Sequence, residues 1–291
     1  MKAYVTPLRY PGGKRKLFDY TKSLLQANNL FGCTYIEPFT GGAGLALKLL
    51  DRGVVKKLIL NDIDRAIYSF WDSLLYNTDE LVSMINSTPV TLDEWYRQKR
   101  VQENKDVVQD IELAFSTFYL NRTNRSGILN GGVIGGKEQN GKTKLNCRFN
   151  RSELVERMYS IAEKKDQVQI FNMDAIEFLV MIKTMQFNTP DSFIFMDPPY
   201  YRKGRELYVN YYQHSDHKQL SEVINKELTS PWVVTYDNVN EIKELYQGYR
   251  QAEYDLFYSA QNKRVGKEVM IYSECLKPIG FEGYQKQAFN T

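Results

Sequence analysis

Apolar residues along this chain come in short runs separated by polar and glycine-containing stretches. Five runs are rich in β-branched and aromatic residues: Tyr35-Ile36-Glu37-Pro38, Lys57-Leu58-Ile59-Leu60-Asn61, Val168-Gln169-Ile170-Phe171, Phe193-Ile194-Phe195-Met196 and Trp232-Val233-Val234-Thr235. Runs of this length and composition predict buried strands. Asp255-Leu256-Phe257-Tyr258 and Val269-Met270-Ile271-Tyr272 flank the polar stretch Gln261 to Gly266 and predict a hairpin. Between most strands the pattern turns helical, over Gly44 to Leu50, Ala175 to Met185, His217 to Glu227 and Val239 to Tyr246. Alternating strands and helices predict an α/β fold: a parallel sheet covered on both faces, with the hairpin adding antiparallel strands at one edge.

The rhythm breaks between Arg65 and Lys165. Helical patterns follow one another over Ala66 to Tyr76, Asp79 to Ile85, Leu92 to Gln102 and Val108 to Leu120, and a loop is expected from Asn121 to Asn146, with six glycines. Residues 65–165 therefore read as an inserted, mainly helical unit, and residues 1–64 and 166–291 as the two halves of one α/β domain.

Composition narrows the function classes. The chain has 291 residues, 43% hydrophobic and 25% charged, the balance of a globular protein. No apolar run approaches the roughly 18 residues needed to span a bilayer, and no signal segment opens the chain. Cys33, Cys147 and Cys275 are scattered, and His214 and His217 have no partners at metal-ligand spacing, so neither a zinc site nor a disulfide framework is expected. A cytoplasmic protein with reduced thiols follows. The net charge of +3 is too small to name a partner, but residues 121–151 hold seven basic residues (Arg122, Arg125, Lys137, Lys142, Lys144, Arg148, Arg151) against Glu138 alone. A glycine-rich basic loop suits contact with nucleic-acid phosphates.

Two motifs carry chemistry. Glu37-Pro38-Phe39-Thr40-Gly41-Gly42-Ala43-Gly44 joins the first strand to a helix, and Asp62 ends the next strand. An acid about 20 residues beyond a glycine turn can accept hydrogen bonds from both hydroxyls of a ribose. The spacing is not that of a dinucleotide fingerprint. Pro11-Gly12-Gly13-Lys14 lacks the glycine at position 8 and the Ser or Thr at position 15 that a phosphate loop needs, so an ATPase is rejected. The second motif, Asp197-Pro198-Pro199-Tyr200, follows the Phe193 to Met196 strand. Two prolines stiffen the corner, which presents a carboxylate, a backbone carbonyl and an aromatic ring. Asp197 and the Pro198 carbonyl can hold both hydrogens of an exocyclic amine and draw its nitrogen towards tetrahedral geometry, while Tyr200 stacks on the base.

Taken with Leu8-Arg9-Tyr10-Pro11-Gly12-Gly13-Lys14, Leu60-Asn61-Asp62-Ile63-Asp64 and Tyr119-Leu120-Asn121-Arg122, these blocks resemble, in order, the Dam-like N6-adenine DNA methyltransferases of the alpha arrangement. The resemblance implies a Rossmann-like sheet that binds S-adenosylmethionine, releases S-adenosylhomocysteine and carries an inserted target-recognition domain. It implies cofactor contacts from Tyr10, Lys14, Glu37, Phe39, Gly41, Asp62, Asp174 and Asp197, and a catalytic corner of Asp197, Pro198, Pro199 and Tyr200. No metal is implied. Tyr10 stands where the family often has tryptophan. The region Gly131 to Gly136 lacks the pattern of GATC-recognising members, so that specificity is not carried over.

The expected partner is double-stranded DNA, with the target adenine flipped out of the helix. Asn121, Arg122, Asn124, Arg125, Lys137, Lys142 and Arg148 are the DNA-contacting candidates: the arginines suit guanine and the asparagines adenine. Arg202, Lys203 and Arg205 are placed to hold the backbone beside the flipped base. A monomer suffices for the task. A cognate restriction endonuclease acting separately, an orphan role and a phage origin (in host cytoplasm) all remain open. An RNA-adenine or cytosine-N4 enzyme and a catalytically silent binding module are the alternatives; D-P-P-Y rather than S-P-P-Y favours adenine.

Overall fold

The computed structural model describes residues 5–10, 12–202, 212–258 and 264–281. Pro11, Lys203 and Arg205, and Gln261 to Lys263 of the expected hairpin connection, lie outside the described residues.

Among these residues seven strands form one sheet: β1 Thr34–Glu37, β2 Lys57–Asn61, β3 Val168–Phe171, β4 Ser192–Met196, β5 Trp232–Asp237, β6 Arg250–Tyr258 and β7 Arg264–Tyr272. Their order is β3-β2-β1-β4-β5-β7-β6. The first five pair in parallel, and β7 runs antiparallel to both β5 and β6. The hairpin strands are longer than the sequence pattern suggested, because Gly266 pairs with Leu256 inside the ladder rather than in the turn.

Side chains alternate between two apolar layers, as the period of a strand demands. Tyr35, Leu58, Leu60, Phe193, Phe195, Val233, Met270 and Tyr272 face one layer. Ile36, Ile59, Ile194, Met196, Val234 and Ile271 face the other. Helices α8 (Ala175–Thr184), α9 (His214–Glu227) and α10 (Asn240–Leu245) cover the second layer. The first is covered by α1 (Phe18–Ala27), α2 (Gly44–Asp51) and the long connection from β2 to β3. That connection holds α3 (Arg65–Tyr76), α4 (Thr78–Ser87), α5 (Leu92–Glu103), α6 (Asp110–Thr123) and α7 (Arg151–Ala162).

Two of these helices, α1 and α7, were absent from the sequence reading. Helix α6 is buried on every side, from Leu113 to Asn121, which makes it the central rod of the inserted region. Its polar residues are matched within: Ser116 Oγ donates to Gln98 O, and Gln102 Nε2 donates to Ser116 Oγ and Thr117 Oγ1. Helix α6 also runs through Asn121 and Arg122, which the sequence reading placed in the loop.

The order of strands reverses between β1 and β4. Chain segments leaving these two strands diverge to opposite sides of the sheet, and the crevice at their carboxyl ends is the usual ligand site of open α/β sheets. The glycine turn leaves β1 there and D-P-P-Y leaves β4.

Candidate active site

The corner is built around one buried lysine. Lys14 follows a turn at Gly12 and Gly13, and its side chain is 3% exposed. Its Nζ lies 2.8 Å from Asp197 Oδ1, 3.0 Å from Tyr200 Oη and 3.5 Å from Glu268 Oε2, and donates to Gly12 O at 3.2 Å. Asp197 Oδ1 also accepts from Thr235 Oγ1 at 2.8 Å. Neither Asp197 Oδ2 nor the Pro198 carbonyl takes part in this network among the described residues. Burial pushes the Asp197 carboxyl above its ordinary range; Lys14 opposes the shift and the charge of Glu268 adds to it.

Tyr200 is buried, with its hydroxyl donating to Glu268 Oε1 at 2.6 Å. The hydroxyl is thereby anchored on β7 and the ring is covered. Beyond it, Tyr201 N and Arg202 N donate to the two carboxylate oxygens of Asp237, at 2.8 and 3.0 Å, which fixes the exit from the prolines.

The glycine turn packs directly on Tyr10. A Cβ on Gly41 would lie 2.6 Å from the Tyr10 ring, and the residue has a φ of +48°, so both space and backbone demand glycine. Trp71 Nε1 of α3 donates to Gly41 O at 2.9 Å. Asp62 accepts from Gly41 N at 2.8 Å and from Asp64 N at 2.9 Å. Its pKa is raised to about 7 by burial, against the two backbone hydrogen bonds. Asn61 ties the turn to the β3–α8 loop, donating to Pro38 O and Met173 O and accepting from Met173 N. In that loop Asp174 caps α8 through Ile176 N. Phe39 lies edge-on to Tyr212, centroids 6.0 Å apart.

Glu37 is buried at the end of β1. Oε1 accepts from Tyr35 Oη at 3.2 Å, and Oε2 has no partner. Its pKa stands well above the usual carboxylate value through burial, with Asp197 and Asp62 adding to the shift. So three carboxyls, Glu37, Asp62 and Asp197, line one crevice, with Lys14 as the buried cation. That donor set fits S-adenosylmethionine, whose sulfonium and ammonium bring two positive charges and whose ribose brings two hydroxyl donors. A bound cation would favour the charged forms that burial now disfavours.

The DNA candidates divide into two groups. Asn121 is buried, accepts from Arg9 N and donates to Arg9 O, both at 2.7 Å, and donates to Gly127 O at 2.9 Å. Asn124 is also buried; it accepts from Trp95 Nε1 and donates to Ile128 O and Leu129 O. Arg122 donates to Arg148 O at 2.7 Å and Pro7 O at 3.3 Å. Burial and the charges of Arg9, Arg157 and Arg148 lower its pKa to about 10. Asn121, Asn124 and Arg122 are thus corrected from base readers to scaffold, because their polar atoms are used inside the protein. Arg125, Lys137, Lys142 and Arg148 are exposed, and none forms an ion pair among the described residues.

Several residues of the site escaped the sequence reading: Thr235, Asp237, Glu268, Tyr254, Asn61 and Arg9. Thr235, Asp237, Glu268 and Tyr254 stand outside the quoted motifs and are recruited by strand register; Asn61 and Arg9 lie within quoted blocks but had been given no role there. His217, in the first turn of α9, is buried beside Tyr236 Oη at 3.1 Å, and burial lowers its pKa to about 4.

Comparison with known proteins supplies the family. Two type II methyltransferases are similar in sequence. M.MjaIII of Methanocaldococcus jannaschii is 24% identical over 66% of this chain and 68% of its own length. M.CviBI of Paramecium bursaria Chlorella virus NC1A is 23% identical over 81% of this chain and 86% of its own. Among solved structures, the rRNA methyltransferase aviRa of Streptomyces viridochromogenes overlays with a TM-score of 0.39 at 13% identity, over 94% of this chain and 90% of that one. The model of the D12 class N6 adenine-specific DNA methyltransferases matches residues 10–260, from the tyrosine on the glycine turn to beyond the hairpin's first strand, and the chain belongs to that family.

Proposed function

We propose that this protein transfers the methyl group of S-adenosylmethionine to the N6 amino group of an adenine flipped out of double-stranded DNA at a specific site. The observation that carries this reading is the tethering of Asp197 at Oδ1 by Lys14 and Thr235. Oδ2 then serves as acceptor for one amino hydrogen, and the Pro198 carbonyl takes the other. An adenine amino nitrogen is a poor nucleophile because its lone pair is delocalised into the ring. Two fixed acceptors localise that pair, and such positioning is worth up to about 7–11 kcal/mol in the limit.

Bound S-adenosylmethionine supplies an electrophilic methyl group on a sulfonium. Tyr10, Glu37, Phe39, Gly41, Asp62, Asp174 and Lys14 hold it. Glu37 Oε2 is an acceptor for its ammonium or a hydroxyl, and Asp62 for the ribose. As the N–C bond formed, the methyl–sulfur bond would break to leave the neutral thioether of S-adenosylhomocysteine, and the amino nitrogen, made cationic, would give up a proton along its hydrogen bond to Asp197. Tyr200 contributes its ring face to the base once the pocket opens.

Residues 65–165 act as the target-recognition unit in this reading. Arg125, Lys137, Lys142 and Arg148 contact phosphates, with Arg9 beside them. The relatives' type II designation supports a role beside a restriction endonuclease acting on the same site, with this chain working as a monomer in the cytoplasm; no helix among the described residues is long and apolar enough to cross a membrane.

The test is to incubate the protein with methyl-labelled S-adenosylmethionine and unmethylated genomic DNA, or RNA, beside Asp197→Ala. Digestion and nucleoside analysis follow. N6-methyladenine from DNA with the wild type alone is expected. Label in RNA or in N4-methylcytosine, or cofactor binding without any transfer, would overturn the reading.

A further inference from the structure

Glu268 lies in β7, its side chain 1% exposed, opposite Tyr254 on β6 and Asp237 on β5. Its carboxylate is fully engaged. Oε1 accepts from Tyr200 Oη at 2.6 Å, Oε2 accepts from Tyr254 Oη, and Lys14 Nζ lies 3.5 Å from Oε2. A buried carboxylate is a poor way to stabilise a sheet, because desolvation offsets most of what its partners return, and a well-packed apolar side chain would serve as well. What the carboxylate adds is placement. Lys14 and Tyr200 belong to the corner around Asp197, and Tyr254 is stacked on Phe281 with ring centroids 4.7 Å apart.

We propose that Glu268 is a positioning residue for methyl transfer: by anchoring Tyr200 and sharing Lys14, it holds Asp197 by Oδ1 and keeps that carboxylate a strong acceptor at Oδ2. The proposal rests on the function proposed above. Lys14 is one cation between two carboxylates, nearer Asp197 at 2.8 Å than Glu268 at 3.5 Å. Were Glu268 neutral, Lys14 would serve Asp197 alone and neutralise it more completely. The hydroxyl of Tyr200 would also lose its charged acceptor, and with it the fixed angle of the ring.

The groups facing this pair set the sign of the expected pH effect. Asp197 is faced by Lys14, by Thr235 on β5 and, across the switch point, by Glu37 and Tyr35 on β1. Glu268 is faced by Lys14, Tyr200 and Tyr254, with Asp237 as its register partner on β5. The charge of Glu268 raises the pKa of Asp197, so its removal lowers it.

The experiment compares wild type, Glu268→Gln and Glu268→Asp as full-length proteins, by initial rates of labelled methyl transfer to unmethylated genomic DNA between pH 5 and 9. The glutamine keeps the shape and an acceptor for Tyr200 but loses the charge. Its kcat is expected to fall about tenfold or more, with KM for S-adenosylmethionine within about twofold of wild type. The acid limb of kcat at saturating S-adenosylmethionine is expected to move to lower pH, which loss of packing alone would not do. Glu268→Asp should return the limb towards its wild-type position while kcat stays reduced. Wild-type kcat with an unmoved limb in Glu268→Gln overturns the proposal. If that variant does not fold, wild-type kcat in Glu268→Asp overturns it instead. A wild type that transfers nothing to DNA overturns the function reading; the Glu268 contact is then judged by the nitrogen resonance of Lys14 Nζ, which must shift in Glu268→Gln.

Discussion

The two charged regions of this protein hold their charges in opposite ways. At the switch point Lys14 and Glu268 are buried and Asp197 is partly so, the lysine bridges the two carboxylates, and strands β4, β5 and β7 fix the cluster. In the loop after α6, Arg125, Lys142 and Arg148 stand exposed, without carboxylate partners among the described residues. Buried charges act through geometry and are little screened, whereas exposed ones act through the field they project and weaken with salt. The difference separates a place for chemistry from a place for holding a polyanion. Between the two lies the clamp of Asn121 on the Arg9 backbone, which joins the inserted helices to the segment carrying Tyr10 and Lys14.

The comparison can be broken at its strongest point first. Asp197→Ala removes the acceptor at the reacting nitrogen, and methyl transfer is expected to fall by about a thousandfold or more. Affinity for DNA should hold within about threefold, measured by fluorescence anisotropy; a matching loss of binding would show that the corner is part of the docking surface.

The seam is next. Asn121→Ala leaves the buried N–H and C=O of Arg9 unmatched, at about 1–3 kcal/mol each. Urea unfolding should show a loss of about 2–4 kcal/mol, and methyl transfer should suffer although Asn121 touches no substrate. Unchanged stability would mean that the Arg9 segment is held by other contacts.

The exposed region gives a smaller and salt-dependent effect. Neutralising Lys137, Lys142 and Arg148 together should weaken DNA binding about 10- to 100-fold at low salt and flatten the log–log salt slope by about 2–3. Cofactor affinity should not change. An unaltered slope would remove these residues from the phosphate contacts.

The smallest effect concerns Asp62, whose pKa is raised to about 7 by burial. In the free protein the folded state keeps a proton that the unfolded chain releases from about pH 4 upward. Its contribution to stability therefore declines as pH climbs through 4 to 7. A ribose held by the carboxylate favours the charged form, so cofactor affinity should rise with pH up to about 7 and level off above, by at most about tenfold per unit. Calorimetry at pH 6, 7 and 8 checks this; a flat profile in wild type, or a retained slope in Asp62→Asn, would contradict the ribose role.

What the sequence disclosed was whatever is written in consecutive residues. The run Lys57 to Asn61 gave a strand with the observed ends, because burial on both faces leaves an unbroken apolar centre; Val168 to Phe171, half-buried at the sheet edge, was legible from its β-branched and aromatic residues. The glycine turn and D-P-P-Y were legible for the same reason. Glu268 was not. It follows Lys267 in a strand, where an acid reads as a solvent-facing position, and its meaning depends on Tyr200 and Lys14, brought to it by the fold. Asn121 and Asn124 were misread because a polar residue in a basic, glycine-rich stretch looks exposed; only the burial of α6 shows that their amides face inward. Helices α1 and α7 were readable in principle, since Leu17, Tyr20, Leu24 and Leu154, Met158, Ile161 follow helical spacing.

The Lys14–Glu268 contact also bears on how the chain is made. It joins residues near opposite ends of the polypeptide, and a pairing so distant in sequence forms late, after the loop-closure entropy of nearly the whole chain has been met. During synthesis the lysine emerges first, finds Asp197 only once β4 has folded, and gains its second carboxylate only when β7 enters the sheet. A nascent or truncated chain that already has its glycine turn and its D-P-P-Y corner still lacks the assembled ionic cluster, so the competence to methylate arrives as one of the last events of folding rather than with the motifs that announce it.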